Sequence, residues 1–176
     1  MAQFEEEIRV FREDKDSFFR SDIDSPIPLE QRSTFKGLNY YPPTREYNVP
    51  SRLKRFDKPE PISIATGTGT RQAYLKYGIL EFEVKKTRLR LTIYKSAEDP
   101  FARSLFIPFS DATSGSETYW SGRYMDLEEQ GGDIYELDFN KAYSPYCAYN
   151  DQYTCPIPPK ENKLPVEILA GEKKYK

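Results

Sequence analysis

Apolar residues recur at helical spacing near the start of the chain. Phe4, Ile8, Phe11 and Phe18 share one face, while Glu5 with Arg9 and Asp16 with Arg20 stand four apart on the others. The spacing predicts an amphipathic helix over residues 3–20. Its polar face carries both signs of charge, so the Phe stripe is expected to pack on the rest of the domain and not on a membrane surface. Residues 21–25, followed by Pro26 and Pro28, stop this helix, and Pro28 opens a second short one through about Phe35.

Past Gly37 and the stiff Tyr40-Tyr41-Pro42-Pro43 segment, the period shortens to two, as strands require. Tyr47 and Val49, Ile62 and Ile64, and Ala73, Leu75 and Tyr77 alternate with polar residues. Leu80, Phe82 and Val84 then alternate with Glu81, Glu83 and Lys85, and Leu89, Leu91 and Ile93 with Arg88, Arg90 and Thr92. This last pair predicts a hairpin turning near Lys86-Thr87. Residues 105–107, 118–127, 134–139 and 166–169 complete a set of about eight to ten short strands. The pattern predicts a mainly β fold: a single antiparallel barrel or sandwich-like domain with one or two N-terminal α-helices packed on it. The expected divisions are a helical segment at 1–36, a β core with a long irregular C-terminal segment at 37–172, and a frayed tail at 173–176.

Composition sharpens this picture. A chain of 176 residues fits one domain, and its 14 tyrosines and 11 phenylalanines make rings the expected core material. The 26 basic and 28 acidic residues nearly cancel, so no global field draws the protein to nucleic acid or to an anionic membrane. Arg45, Arg52, Lys54, Arg55 and Lys58 form a basic cluster, and Lys85, Lys86, Arg88 and Arg90 form another. Glu81 and Glu83 dilute them, and nucleic acid is not an expected partner. The N-terminus is charged, with no apolar stretch of about 18 residues anywhere. The expectation is a cytoplasmic location with no membrane association.

The chain has no histidine. Ser-His-Asp and Cys-His activation are therefore excluded, as are histidine-containing metal centres, and two cysteines cannot build a four-thiolate site. No metal or cofactor is expected, and acid–base chemistry must fall to carboxylates, Lys, Tyr or Cys. Cys147 and Cys155 have two readings. They form a disulfide worth about 2.5 kcal/mol for so short a loop, or they are small thiols of a reducing compartment. A nucleophilic Cys147 would need Lys, Arg or a helix N-terminus to lower its pKa. Thr66-Gly67-Thr68-Gly69-Thr70 lacks the Gly-Lys-Ser/Thr ending of a phosphate loop and reads as a hairpin turn.

Candidate chemistry collects in residues 109–163, where Tyr, Asn, Asp, Glu and Arg are dense. Arg123 lies near Glu117 and Asp126 in sequence, and strand alternation sets Asp138 and Asn140 opposite Tyr135, Leu137 and Phe139. In one reading these polar groups form a hydrogen-bonded network that ties down the irregular C-terminal segment. In the other, Arg123 holds an anionic group in a pocket where Tyr119, Tyr124, Tyr143 and Tyr146 offer ring faces.

The stretches FKGLNYYPP, LFIPFSDATSGSETYWSGRYMDL and LDFNKAYSPYCAYNDQYTCPIPPKENKLPVEILAGEK, at their spacing, resemble the bacterial and archaeal family catalogued as domain of unknown function 1684. The likeness covers nearly the whole chain, and Ser144 is one departure, standing where Asn is expected. The family carries no assigned activity. The resemblance implies signature positions that include Glu117, Tyr119, Arg123, Tyr124, Asp138, Asn140, Tyr143, Tyr146, Cys147, Asn150, Glu161 and Asn162, the expected lining of a pocket for a small polar or anionic molecule. There Arg123 would neutralise charge, Asn140, Asn150 and Asn162 would orient the ligand, and the tyrosines would stack. Two alternatives stand beside it. One is a hydrolase using two carboxylates among Glu117, Asp126, Asp138 and Glu161; the other is a non-enzymatic scaffold whose signature residues only fold the chain.

Overall fold

The computed structural model describes residues 2–176; Met1, the first residue of the expected helical segment, lies outside them. The fold is mainly β: one helix, α1 (Ala2–Ser21), packs against a curled six-stranded antiparallel sheet shaped as a half-barrel. The strands are β1 (Asn48–Ala65), β2 (Arg71–Val84), β3 (Thr87–Ser96), β4 (Ser104–Phe109), β5 (Arg123–Glu128) and β6 (Ile134–Asp138). They lie in the order β5-β4-β3-β2-β1-β6. The segment opened by Pro28 is a 3₁₀ turn, Leu29–Thr34.

Fewer strands form than the alternation suggests, because neighbouring runs merge. The Tyr47/Val49 and Ile62/Ile64 runs join in β1 despite Pro50, Pro59 and Pro61. Pro50 faces only β6 and Pro61 only β2, so neither removes a hydrogen bond from a strand paired on both sides. Register slips between Arg55 and Glu60 on β1, and again between Lys76 and Gly78 where β2 meets β3. These irregularities lie at one level of the sheet, where bulging increases coiling. Gly78 permits the close approach there, since a Cβ would come within 2.6 Å of the Lys54 carbonyl oxygen.

The β2–β3 hairpin turns at Lys85-Lys86, one residue before the expected position. Both residues have positive φ, 48° and 64°, as a two-residue turn matched to strand twist requires. The Thr66–Thr70 segment is the β1–β2 turn, closed by Thr66 N–H donating to Thr70 O at 2.9 Å. The cross-strand pairs Glu81–Arg90 and Glu83–Arg88 set opposite charges side by side across the basic face.

The core packs Leu80, Phe82, Leu91, Ile93, Ile107, Phe109 and Leu137 from the sheet with Phe139 just past β6 and with Leu164, Ile168 and Ala170 from the C-terminal segment. That segment is no strand, contrary to the expectation for 166–169. It runs beside residues 110–112, where Leu164 N–H donates to Ser110 O (2.8 Å) and Ala112 N–H to Val166 O (3.0 Å). A second cluster, Phe19, Ile27, Phe35 and Tyr149, fastens the end of α1. Phe19, not Phe18, is the fully buried ring there. Residues 173–175, in the tail expected to fray, make contacts with the domain. Lys173 N–H donates to Asn39 O at 2.8 Å, and the Tyr175 ring packs 5.3 Å from that of Tyr149.

Candidate functional site

β5 divides the chemistry, because successive side chains of a strand point to opposite faces. Arg123 and Met125 face the interior. Tyr124 and Asp126 face a cleft under α1.

On the interior side, Arg123 is fully buried and donates to the chain's own carbonyls. Nη1 reaches Ala170 O (2.5 Å) and Glu172 O (3.2 Å), and Nη2 reaches Ile168 O (2.9 Å) and Asp111 Oδ2 (3.4 Å). Asp111 Oδ2 also accepts the Ile168 N–H at 2.6 Å. Burial pulls the guanidinium's pKa down, and the charge of Asp111 opposes that shift. The remaining polar signature behaves alike. Asn162 imitates a strand edge, accepting from Thr92 N–H and donating to Thr92 O and Pro108 O, each at 2.8 Å. Asn140 accepts from Thr44 N–H (3.0 Å) and donates to Thr44 O (2.8 Å).

The expected pairing of Asp138 and Asn140 on one strand face is replaced by a cap. The strand ends at Asp138, whose Oδ1 accepts the Asn140 N–H (3.0 Å) and Nδ2 (2.7 Å). Asn150 Oδ1 accepts Gln152 N–H at 3.0 Å. Glu117 accepts from Tyr41 Oη at 2.6 Å, and Glu161 from Lys76 Nζ at 3.0 Å and from Tyr94 Oη.

On the other side lies a cleft of about 680 Å³. Phe11, Asp14 and Lys15 of α1 form one wall, Tyr124 and Asp126 of β5 another, and Tyr143, Tyr146, Tyr153, Thr154 and Cys155 the third. Backbone bonds from Tyr124 N–H to Tyr143 O (2.8 Å) and from Tyr143 N–H to Tyr124 O (3.0 Å) lock two walls together. Their rings meet edge to face at 5.8 Å, as do those of Tyr146 and Tyr153 at 5.2 Å.

Tyr143 Oη donates to Asp126 Oδ2 at 2.5 Å. Asp126 opens onto the cleft, yet the desolvation around it raises its carboxyl above the usual range, against the opposing effects of the Tyr143 hydroxyl and Lys15. Burial likewise pushes Tyr124, Tyr143 and Tyr146 upward, so they remain hydroxyl donors. Lys15 Nζ lies 4.8 Å from the Tyr143 ring and is ion-paired with buried Glu172, which also accepts Ser144 N–H (2.9 Å) and Tyr149 Oη. Of the residues expected to line a pocket, Tyr124, Tyr143 and Tyr146 do so here. Phe11, Asp14 and Lys15 were absent from the expected lining, because a helix far away in sequence brings them.

The carboxylates of the hydrolase alternative are not gathered in this cleft, which Asp126 alone of the four reaches. Asp126 and Asp138 both line a smaller groove of about 350 Å³ formed by residues of β5 and β6 with Phe11, Lys141 and Tyr143.

A third opening, about 160 Å³, is lined by Tyr119, Trp120, Cys147, Asp151, Tyr153 and Cys155 among others. Both cysteines are free, half-buried thiols. Cys147 N–H donates to Cys155 Sγ at 3.4 Å, and Tyr119 Oη lies 3.5 Å from Cys147 Sγ. A hydrogen bond with Cys155, then one from Tyr119, lowers the Cys147 thiol to about 6 despite burial, while the same pairing drives Cys155 upward. Tyr119 itself is pushed up to about 12, chiefly by burial. Neutral donors thus replace the cations that the sequence reading required. Gly122 lets the loop carrying Tyr119 close against β4. Its φ is 122°, and a Cβ would fall 2.2 Å from Phe109 O.

Among the described residues there is no group of three or more His, Cys, Asp or Glu side chains placed to hold a metal ion. Nor is any helix long and apolar enough to cross a membrane.

Comparison with known proteins agrees with the signature. Residues 33–173 match the family model described as "Protein of unknown function (DUF1684)". Among solved structures, the chain is similar to the solution NMR structure of an uncharacterised protein of Haloarcula marismortui. The two share 38% identity and a TM-score of 0.75 over 98% of this chain and 95% of that one. No curated protein matches.

Proposed function

The chain belongs to the DUF1684 family of proteins of unknown function, and from its geometry we propose that it binds a small molecule in the cleft between α1, β5 and residues 143–155. The ligand has a flat apolar body and a protonated amine or similar donor group. The observation that carries this reading is the placement of the Asp126 carboxylate, open to the cleft, in a lining that includes the rings of Phe11, Tyr124, Tyr143 and Tyr146, with desolvation raising its pKa. Aromatic faces around a carboxylate attract a cation, and a perturbed acid in a cleft is a candidate functional group.

The sign of the ligand's charge follows from where the cations are. An anionic ligand would need Arg123, whose Nη1 and Nη2 donate to the chain's own carbonyls and to Asp111. Lys15 is offset by Glu172, which leaves Asp14 and Asp126 facing the opening. The amine reading therefore fits this lining better than the anionic one.

A thermal-shift screen of aromatic and aliphatic amines, with matched carboxylic acids as controls, tests the proposal. At least one amine should raise the melting temperature, with the shift lost in Asp126→Asn. Failure of every amine, or an equal shift in the variant, would end this reading.

A further inference from the structure

We propose that Cys147 and Cys155 form a peroxide-reactive dithiol, in which Cys147 is the attacking sulfur and Cys155 resolves its sulfenic acid to a disulfide. The two residues meet across a short loop, with Cys147 N–H on Cys155 Sγ at 3.4 Å. They share an opening of about 160 Å³, room for a hydroperoxide of a few heavy atoms when one water takes about 30 Å³. Tyr119 Oη, 3.5 Å from Cys147 Sγ, is a donor to a thiolate there, and both cysteines are half-buried residues lining the opening.

The two cysteines are held differently. Cys155 is moored to the sheet, its carbonyl accepting Gly67 N–H at 3.2 Å and the next residue, Pro156, bridging to Thr66. Cys147 rides on the short 3₁₀ turn Tyr146–Ala148. The lowered Cys147 thiol is consistent with its acting first.

The chemistry balances with a hydroperoxide as oxidant. The Cys147 thiolate attacks one peroxide oxygen, the O–O bond breaks, and an S–O bond forms. The departing alkoxide takes up the proton that Cys147 released. The Cys155 sulfur then attacks the Cys147 sulfur, the S–O bond breaks, and hydroxide leaves with the Cys155 proton as water. Two thiols and a hydroperoxide thus become a disulfide, an alcohol and water. Closing this bond joins the ends of the segment whose Tyr146 and Tyr153 rings line the large cleft. That effect on ligand access rests on the binding function proposed above, whereas the thiol chemistry does not.

The test treats the full-length chain with one equivalent of hydrogen peroxide, followed by alkylation, intact mass and peptide mapping. The wild type should form the Cys147–Cys155 disulfide, Cys155→Ser should accumulate a dimedone-trappable sulfenic acid at Cys147, and Cys147→Ser should stay reduced. Tyr119→Phe should slow the reaction about tenfold, the worth of one hydrogen bond to a charged group. A comparison of native and urea-unfolded wild type needs no variant to fold, and the native chain should react faster. Equal rates in the two states, or dimedone trapped at Cys155 and not at Cys147, would overturn the proposal. A hydroperoxide result of either kind leaves the amine screen unaffected, so the two readings fail separately.

Discussion

Arg123 and Tyr124 are neighbours in sequence and opposites in role. Arg123 turns inward and stitches residues 168–172 to the sheet through its two Nη atoms. Tyr124 turns toward the cleft, meets Tyr143 edge to face and forms part of the cleft wall. The interior side is rich in charge and amide groups, yet these satisfy backbone groups of the C-terminal segment and of the strands beside it. The cleft side is rich in rings and holds a carboxylate in an environment that penalises its charge. Polar density in a sequence signature here marks where an irregular chain needs partners, and ring density beside an unfavoured charge marks the site proposed for a ligand.

The largest effect that separates the two sides is on stability. Arg123→Ala leaves the buried Asp111 carboxylate without its cation and removes the side-chain donor from the carbonyls of Ile168 and Ala170. The expected cost is about 3–5 kcal/mol in equilibrium urea unfolding. A loss below about 1 kcal/mol would remove Arg123 from its place as the main tie of the C-terminal segment.

On the cleft side the effect is smaller and opposite in sign. Asp126 has a folded-state pKa above its unfolded one, so folding favours its protonated form. Its contribution is most favourable below the unfolded value and is lost as pH rises through the folded one. Asp126→Asn should therefore equal or slightly exceed the wild type in stability at neutral pH, by no more than about 1 kcal/mol because solvent screens the open carboxylate. The advantage should vanish in acid. Melting temperatures across the acidic range check this, and a variant clearly less stable at neutral pH would show the carboxylate to be structural.

How far the sequence revealed these sides depended on the kind of order each uses. α1, β3 and the β2–β3 hairpin carry regular apolar periods and were legible. β1 looked like two strands because its prolines fall where only one neighbour pairs with it, a circumstance the sequence does not display. The C-terminal segment had no period to read. Leu164, Ile168 and Ala170 enter the core because side chains such as Arg123 and Asn162, not a strand ladder, satisfy the surrounding backbone. Asp138 and Asn140 were misplaced by extending a strand one turn too far. The rings of the cleft were visible as a cluster of tyrosines, whereas its α1 wall depended on packing between distant parts of the chain. The Cys147 environment was hidden because its donors are neutral and one, Tyr119, lies 28 residues away.

The division between the two faces of β5 is tested most directly by titration calorimetry with the amine that the thermal screen selects, at a temperature where Arg123→Met remains folded. The expected result is unchanged affinity in Arg123→Met and a loss of about tenfold or more in Asp126→Asn, as for a cation deprived of its charged partner. Affinity lost in Arg123→Met but retained in Asp126→Asn would contradict the account.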